Sequence, residues 1–171
     1  LGLPVIRNAY EYGKGIINLI IEEMTSGPVI IMVIEGEDAV NKLNIALKNQ
    51  GIFSEKLSKE MQAYATELQR VSTFSDESIL RTQAMLTTFG LAGASMKDAT
   101  KSTLDLASGL GIDLNTAALL VGKAFAGETG TLSRYGIIID ENIPRSERFA
   151  AAIAQINQRF GGEAQAATQT F

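Results

Sequence analysis

Gly122-Lys123, followed by Gly127 and Gly130, is the spacing in this sequence closest to a phosphate-binding loop. Such a loop cradles phosphate oxygens with backbone N–H groups and runs Gly-x4-Gly-Lys-Ser/Thr. Here Lys123 precedes the glycine turn and Ala124 follows it, so Lys123 reads as a solvated helix residue. Two carboxylate pairs come next, Asp76-Glu77 and Asp140-Glu141. Neighbours in sequence do not face one cleft from one helix face, and helix capping explains the first pair. In the turn Ser133-Arg134-Tyr135-Gly136, Arg134 and Tyr135 form a polar pair with a structural cast, and Arg134 is expected to cap helix-end carbonyls. Histidine is absent, which removes His-dependent triads, His-ligated zinc and phosphohistidine intermediates. Cysteine is absent too, and with it disulfides, thiolate chemistry and Cys-based metal sites. The reading is therefore not an enzyme, with no catalytic, cofactor-binding or metal-ligating residue assigned.

The elements around these residues are helices. Asp113 can cap a helix in which Ala117, Ala118, Leu120, Val121, Ala124 and Phe125 form an apolar face at helical spacing. Gly127 is expected to stop it. With Gly130 it lets the backbone take positive φ, before Leu132 to Tyr135 add one more turn that Gly136 closes. Upstream, Asp38 to Lys48 predicts a helix with Val40, Leu43, Ile45 and Leu47, ended by Gly51, and Ser54 is placed to cap the next. There Leu57, Met61, Tyr64, Leu68 and Val71 recur at alternating spacings of four and three, either an amphipathic face against a neighbour or a short coiled-coil seam. Ser75 precedes an acidic first turn suited to the helix dipole, and Ile79, Leu80, Met85, Leu86 and Phe89 lead to a stop at Gly90. Ser95 with Asp98 predicts a capping box, ahead of a stripe of Met96, Ala99, Thr103, Leu106 and Leu110. Phe149, Ile153, Ile156 and Phe160 mark a further helix up to Gly161-Gly162, and Glu163 to Phe171 the first turns of another.

Residues 1–36 read differently. Pro4 to Asn18 and Ile16 to Met24 predict short helices, and Thr25-Ser26-Gly27-Pro28 is turn chemistry. The β-branched run Val29 to Ile34 predicts a buried strand at about 28–35, ended by Glu35-Gly36. Its one candidate partner within the chain is a second short strand at 137–140, from Ile137-Ile138-Ile139. The expected fold is thus mainly α, an array or bundle of short amphipathic helices with one or two short strands. The expected domains are an N-terminal segment, 1–36, and a helical region, 37–171.

Bulk properties set bounds. A chain of 171 residues with 46% hydrophobic content can build a core, but aromatics are 6% and tryptophan is absent, so that core rests on close backbone approach. The net charge of -4, with lysine and arginine scattered among acids, gives no basic footprint for nucleic acid. The apolar runs are far shorter than the roughly 18 residues of a membrane span. The start lacks signal-peptide organisation and an initiator Met, and the sequence ends in mid-pattern, as expected of an excerpt from a longer chain.

Three motifs carry a resemblance: ALLVGKAFAGETGTLSRYGI in the central stretch, TFSDESILRTQAMLTTFGL at 73–91 and FAAAIAQINQRFGGEAQAATQTF at 149–171. In this order and spacing, over about 37–171, the chain resembles phage tail tape measure proteins. That resemblance implies a structural protein of the virion lying along the tail interior, which sets tail length during assembly in the host cytoplasm and leaves on DNA ejection. The implied partners are tail tube and tail assembly proteins, with helix self-association, no specific nucleic acid binding, no membrane span and no cofactor. A second stretch, EEMTSGPVIIMVIEGEDAV at 22–40, resembles the middle of nucleoside diphosphate kinases. That family's phosphate-accepting His, in an Asn-His-Gly-Ser setting, and its Gly-Thr-Ile-Arg loop are missing downstream of it. No catalytic residue carries over, and the alternative this resemblance implies is a non-catalytic kinase-like fragment fused to a helical module.

Overall fold

The computed structural model describes residues 28–169, with side chains described from Gly36 onward. The helices and turn expected before Pro28 lie outside these residues. The chain divides into two compact units, Leu1–Glu35 and Gly36–Phe171. The described residues are all-helical in architecture: α1 (Pro28–Asn49), α2 (Glu55–Arg70), α3 (Asp76–Thr88), α4 (Gly93–Leu110), α5 (Leu114–Phe125), a 3-10 helix (Thr129–Tyr135), α6 (Arg145–Phe160), α7 (Glu163–Ala166) and a closing 3-10 turn (Ala167–Gln169).

Both expected strands are corrected. The run at 28–35 lies inside α1, which opens with Pro28 and continues through Glu35 and Gly36. Proline at a first helical position has φ already set and no N–H to leave unpaired, so it starts a helix well. The β-branched residues after it lower helix propensity by only a fraction of a kcal/mol each, a preference that context overrides. At 137–140 the burial pattern is that of a strand, with Ile137 and Ile139 buried and Ile138 68% exposed. No strand is present among the described residues to pair with it. Instead Gln155 Nε2 donates to the Ile138 carbonyl at 2.6 Å, supplying from a side chain the bond a ladder would have made.

Within the second unit α4 is the middle of the bundle, touching α3, α5, α6 and α7, while α2 lies on α3 and α3 also meets α5. On α2, Met61 and Leu68 are buried and Leu57 and Tyr64 half-buried, so the heptad-spaced face is largely spent within the chain; Val71, just past the helix, is exposed. Ser54 caps α2 and Ser75 caps α3 through their side-chain oxygens, as expected. α4 corrects the expected capping box: it starts at Gly93, with Ala92 before it and no side-chain cap. Leu91, fully buried, anchors the preceding turn and brings the helix in ahead of Ser95.

Polar residues enter this core because helix geometry satisfies them. Thr100 and Thr103 are fully buried on α4, and their hydroxyls donate to the carbonyls of Met96 and Ala99 at 2.7 and 2.6 Å. Thr82 and Thr87 of α3 donate to Ser78 and Gln83 in the same way. A hydroxyl bonded to the carbonyl four residues back leaves its methyl group free to pack.

Candidate functional site

The central stretch, 113–139, is built from two glycine-closed helix ends in tandem. Asp113 accepts the Thr116 backbone N–H at 2.9 Å and also its hydroxyl, which holds the Asp113 carboxyl below the usual carboxylate range. The helix it opens, α5, buries Ala117, Ala118, Leu120, Val121, Gly122 and Ala124. A Cβ at Gly122 would come closer than 3.0 Å to three ring carbons of Phe89, so only glycine lets α3 and α5 approach here. Phe125 meets Phe149 edge-on, with ring centroids 5.0 Å apart, and ties α5 to α6.

At the end of α5 the Gly127 N–H donates to Ala124 and the Glu128 N–H to Lys123, at 3.0 and 2.8 Å, with Gly127 at φ 90°. The next helix end repeats the pattern: Gly136 donates to Ser133 and Ile137 to Leu132, at 2.9 and 3.2 Å, with Gly136 at φ 76°. These paired bonds are the Schellman closure, which satisfies carbonyls a helix would otherwise leave open. The same pairs close α1 at Gly51-Ile52, α3 at Gly90-Leu91 and α4 at Gly111-Ile112.

That bonding uses two of the N–H groups a phosphate loop at Gly127 would need. The N–H groups of Gly127 and Glu128 point back to helix carbonyls and are not free to cradle a phosphate. The structure does bring Lys123, Arg134 and Tyr135 together, with Thr116, Leu119 and Thr131, around a shallow concavity of about 240 Å³. Arg134 does not take the carbonyl-capping role expected of it. Arg145 does, its Nη2 donating to the Ala126 carbonyl at 2.6 Å, and Arg148 holds the Glu141 and Ile143 carbonyls from the same helix. A basic residue in the first turn of the next helix, set to reach back, is the signal that could have found them.

The carboxylate pairs do not converge on a site. Burial, helped by a hydrogen bond with Glu77, pushes the Asp76 carboxyl up, while backbone hydrogen bonding draws Glu77 down. Neither residue lines the two concavities. Asp140 folds onto the next turn, accepting the Asn142 backbone N–H at 2.9 Å. Among the described residues no group of three or more metal-ligating side chains could hold an ion.

The larger concavity, about 350 Å³, lies away from the central stretch. Leu47, Leu57, Met61, Leu91 and Met96 form its apolar walls, and Tyr64 and Lys97 stand among its lining residues. Lys97 Nζ sits 5.5 Å from the Tyr64 ring centroid, and the Tyr64 hydroxyl donates to the Lys97 carbonyl at 3.2 Å. Gln83, also in the lining, is fully buried; its Nε2 donates to the Met61 carbonyl and its Oε1 has no partner. Among the described residues, Asp105 is the other buried side chain with an unpartnered oxygen. Neither is legible in the sequence, because single polar residues inside apolar helices give no periodic signal.

No protein-family model matches the chain, and no curated protein or solved structure matches it. Among the described residues no helix is long and apolar enough to cross a membrane.

Proposed function

We propose that this chain is a segment of a phage tail tape measure protein, a structural component of the virion that lies in the tail interior and sets its length. The observation that carries this reading is how the run 118–137, the motif of the resemblance, is used. Gly122 admits Phe89, Gly127 and Gly136 close helices, and Leu132 anchors the 3-10 turn from the core. The motif is spent on architecture. A protein whose activity is its shape needs such a pattern, with the rise of about 1.5 Å per residue fixing the length of each helix and the glycine closures fixing how the helices pack. Tail tube and tail assembly proteins, and further helices of the same kind, are the partners this reading implies. A chain of net charge -4 would not grip passing DNA.

The kinase-like alternative is less well supported, since the stretch it rests on would use a strand across 29–34, where α1 runs. The test is mass spectrometry of purified phage particles before and after triggered DNA ejection. Peptides of this chain are expected in intact tails and lost from emptied ones. Their absence from intact tails overturns the reading.

A further inference from the structure

In the central stretch the glycines and apolar residues build the fold, and Lys123, Arg134 and Tyr135 are left over. Elsewhere Lys42 and Arg81 pair with Asp38, Lys48 and Lys97 stand over aromatic rings, and Arg145 holds a carbonyl. The side chains of Lys123 and Arg134 make no hydrogen bond or ion pair with any described residue, and neither does the Tyr135 hydroxyl. All three line one hollow of about 240 Å³ between α5 and the 3-10 helix that follows it. Lys123 is half-buried there, and a cation drawn part-way out of water gains from an anion beside it. The acids nearest in sequence do not supply one. Asp113 is committed to the Thr116 N–H and hydroxyl, and Glu128 is exposed and makes no ion pair with a described residue. The threonine hydroxyls of the hollow are committed as well, Thr116 to Asp113 and Thr131 to the Glu128 carbonyl at 3.4 Å. Beside the unspent donors lies Leu119, 43% exposed, so the hollow offers an apolar surface next to its charges.

We propose that this hollow binds a small phosphate monoester with an apolar body. Two unpaired cations and a phenolic donor match the charge of about -1.5 to -2 and the three acceptor oxygens that a monoester carries near neutral pH. A carboxylate, with one charge, would compensate only one of the two cations. Arg134 supplies a planar fork of donors and Lys123 a point charge, while Leu119 receives the apolar body. The site is made by side chains, unlike a phosphate loop, and the Gly127 and Glu128 N–H groups stay bonded to helix carbonyls. This inference rests on these side chains and not on the tail reading, so either can fail without the other.

Titration of the full chain with phenyl phosphate, followed by amide chemical shifts, tests it. Saturable shifts are expected at the residues lining the hollow, with a dissociation constant of about 1 mM. Lys123→Gln and Arg134→Gln are each expected to weaken binding roughly tenfold, and Tyr135→Phe about threefold. Lys101→Gln, which removes an exposed cation outside the hollow, is expected to leave it unchanged. Inorganic phosphate should bind several-fold more weakly than phenyl phosphate, and Leu119→Ala should remove that difference. The proposal is overturned if no saturable shift develops by about 20 mM, or if benzoate or inorganic phosphate binds as tightly as phenyl phosphate. It is equally overturned if Lys101→Gln weakens binding as much as Lys123→Gln, because the attraction is then the diffuse charge of the surface.

Discussion

The two glycine turns of the central stretch share their hydrogen bonds and differ in the residue after the glycine. Gly136 is succeeded by Ile137, fully buried together with Leu132, the residue whose carbonyl it bonds. Gly127 is succeeded by Glu128, exposed to solvent, and the turn is held from outside by Arg145 on the Ala126 carbonyl. An apolar residue in that position adds a hydrophobic contact that fixes where the chain goes next. The Gly136 turn is thus part of the core, while the Gly127 turn is a surface closure propped by one long side chain.

The widest separation of the two turns should come from the residues after the glycines. Ile137→Ala is expected to lower unfolding free energy by about 2–5 kcal/mol, whereas Glu128→Ala should stay within about 0.5 kcal/mol. Urea denaturation of both variants checks this; similar losses would erase the distinction. Next in size is Gly122→Ala, where the added methyl meets the Phe89 ring and overpacking should cost about 1–3 kcal/mol. Phe89→Leu in the same background should recover part of that loss. Gly127→Ala and Gly136→Ala should each cost about 1–2 kcal/mol for the positive φ, and Gly127→Ala more, because its Cβ would displace the Arg145 side chain that holds the Ala126 carbonyl. Equal costs would show that Arg145 adds nothing to the Gly127 turn.

The smallest expected effect concerns the start of α5. Asp113 has its carboxyl lowered by the Thr116 hydroxyl and then by the Thr116 backbone N–H. A group whose folded value lies below its unfolded one stabilises above the unfolded value and loses that contribution as pH falls through the folded one. The capped helix should therefore weaken in acid, below the ordinary aspartate range. Asp113→Asn, which caps without titrating, should flatten this part of the pH profile, as followed by thermal melts from neutral to acid.

Helix ends are the legible part of this fold. Gly at 51, 90, 111 and 136 marks a C-terminus because only glycine takes positive φ cheaply, and at 90 and 136 the apolar residue that follows is fully buried. Ser54, Ser75 and Asp113 mark starts for the equally local reason that a short oxygen-bearing side chain reaches an unpaired N–H. The hidden part depends on partners distant in sequence. The 28–35 run reads as strand on propensity alone and is helix in context. The use of Gly122 and Gly109 is invisible without Phe89 and Phe160, and Asp105 takes its meaning from Ala164. In the central stretch, Lys123 and Arg134 line one shallow concavity that their spacing in sequence does not announce. The glycines around them could be read correctly as structure.

The claim that this molecule acts through its length is tested most directly by in-frame deletion within the helical region of the parent gene, followed by electron microscopy of the assembled tails. Tails are expected to shorten as residues are removed, in proportion to the number deleted. Tails of unchanged length around a shortened protein would contradict it.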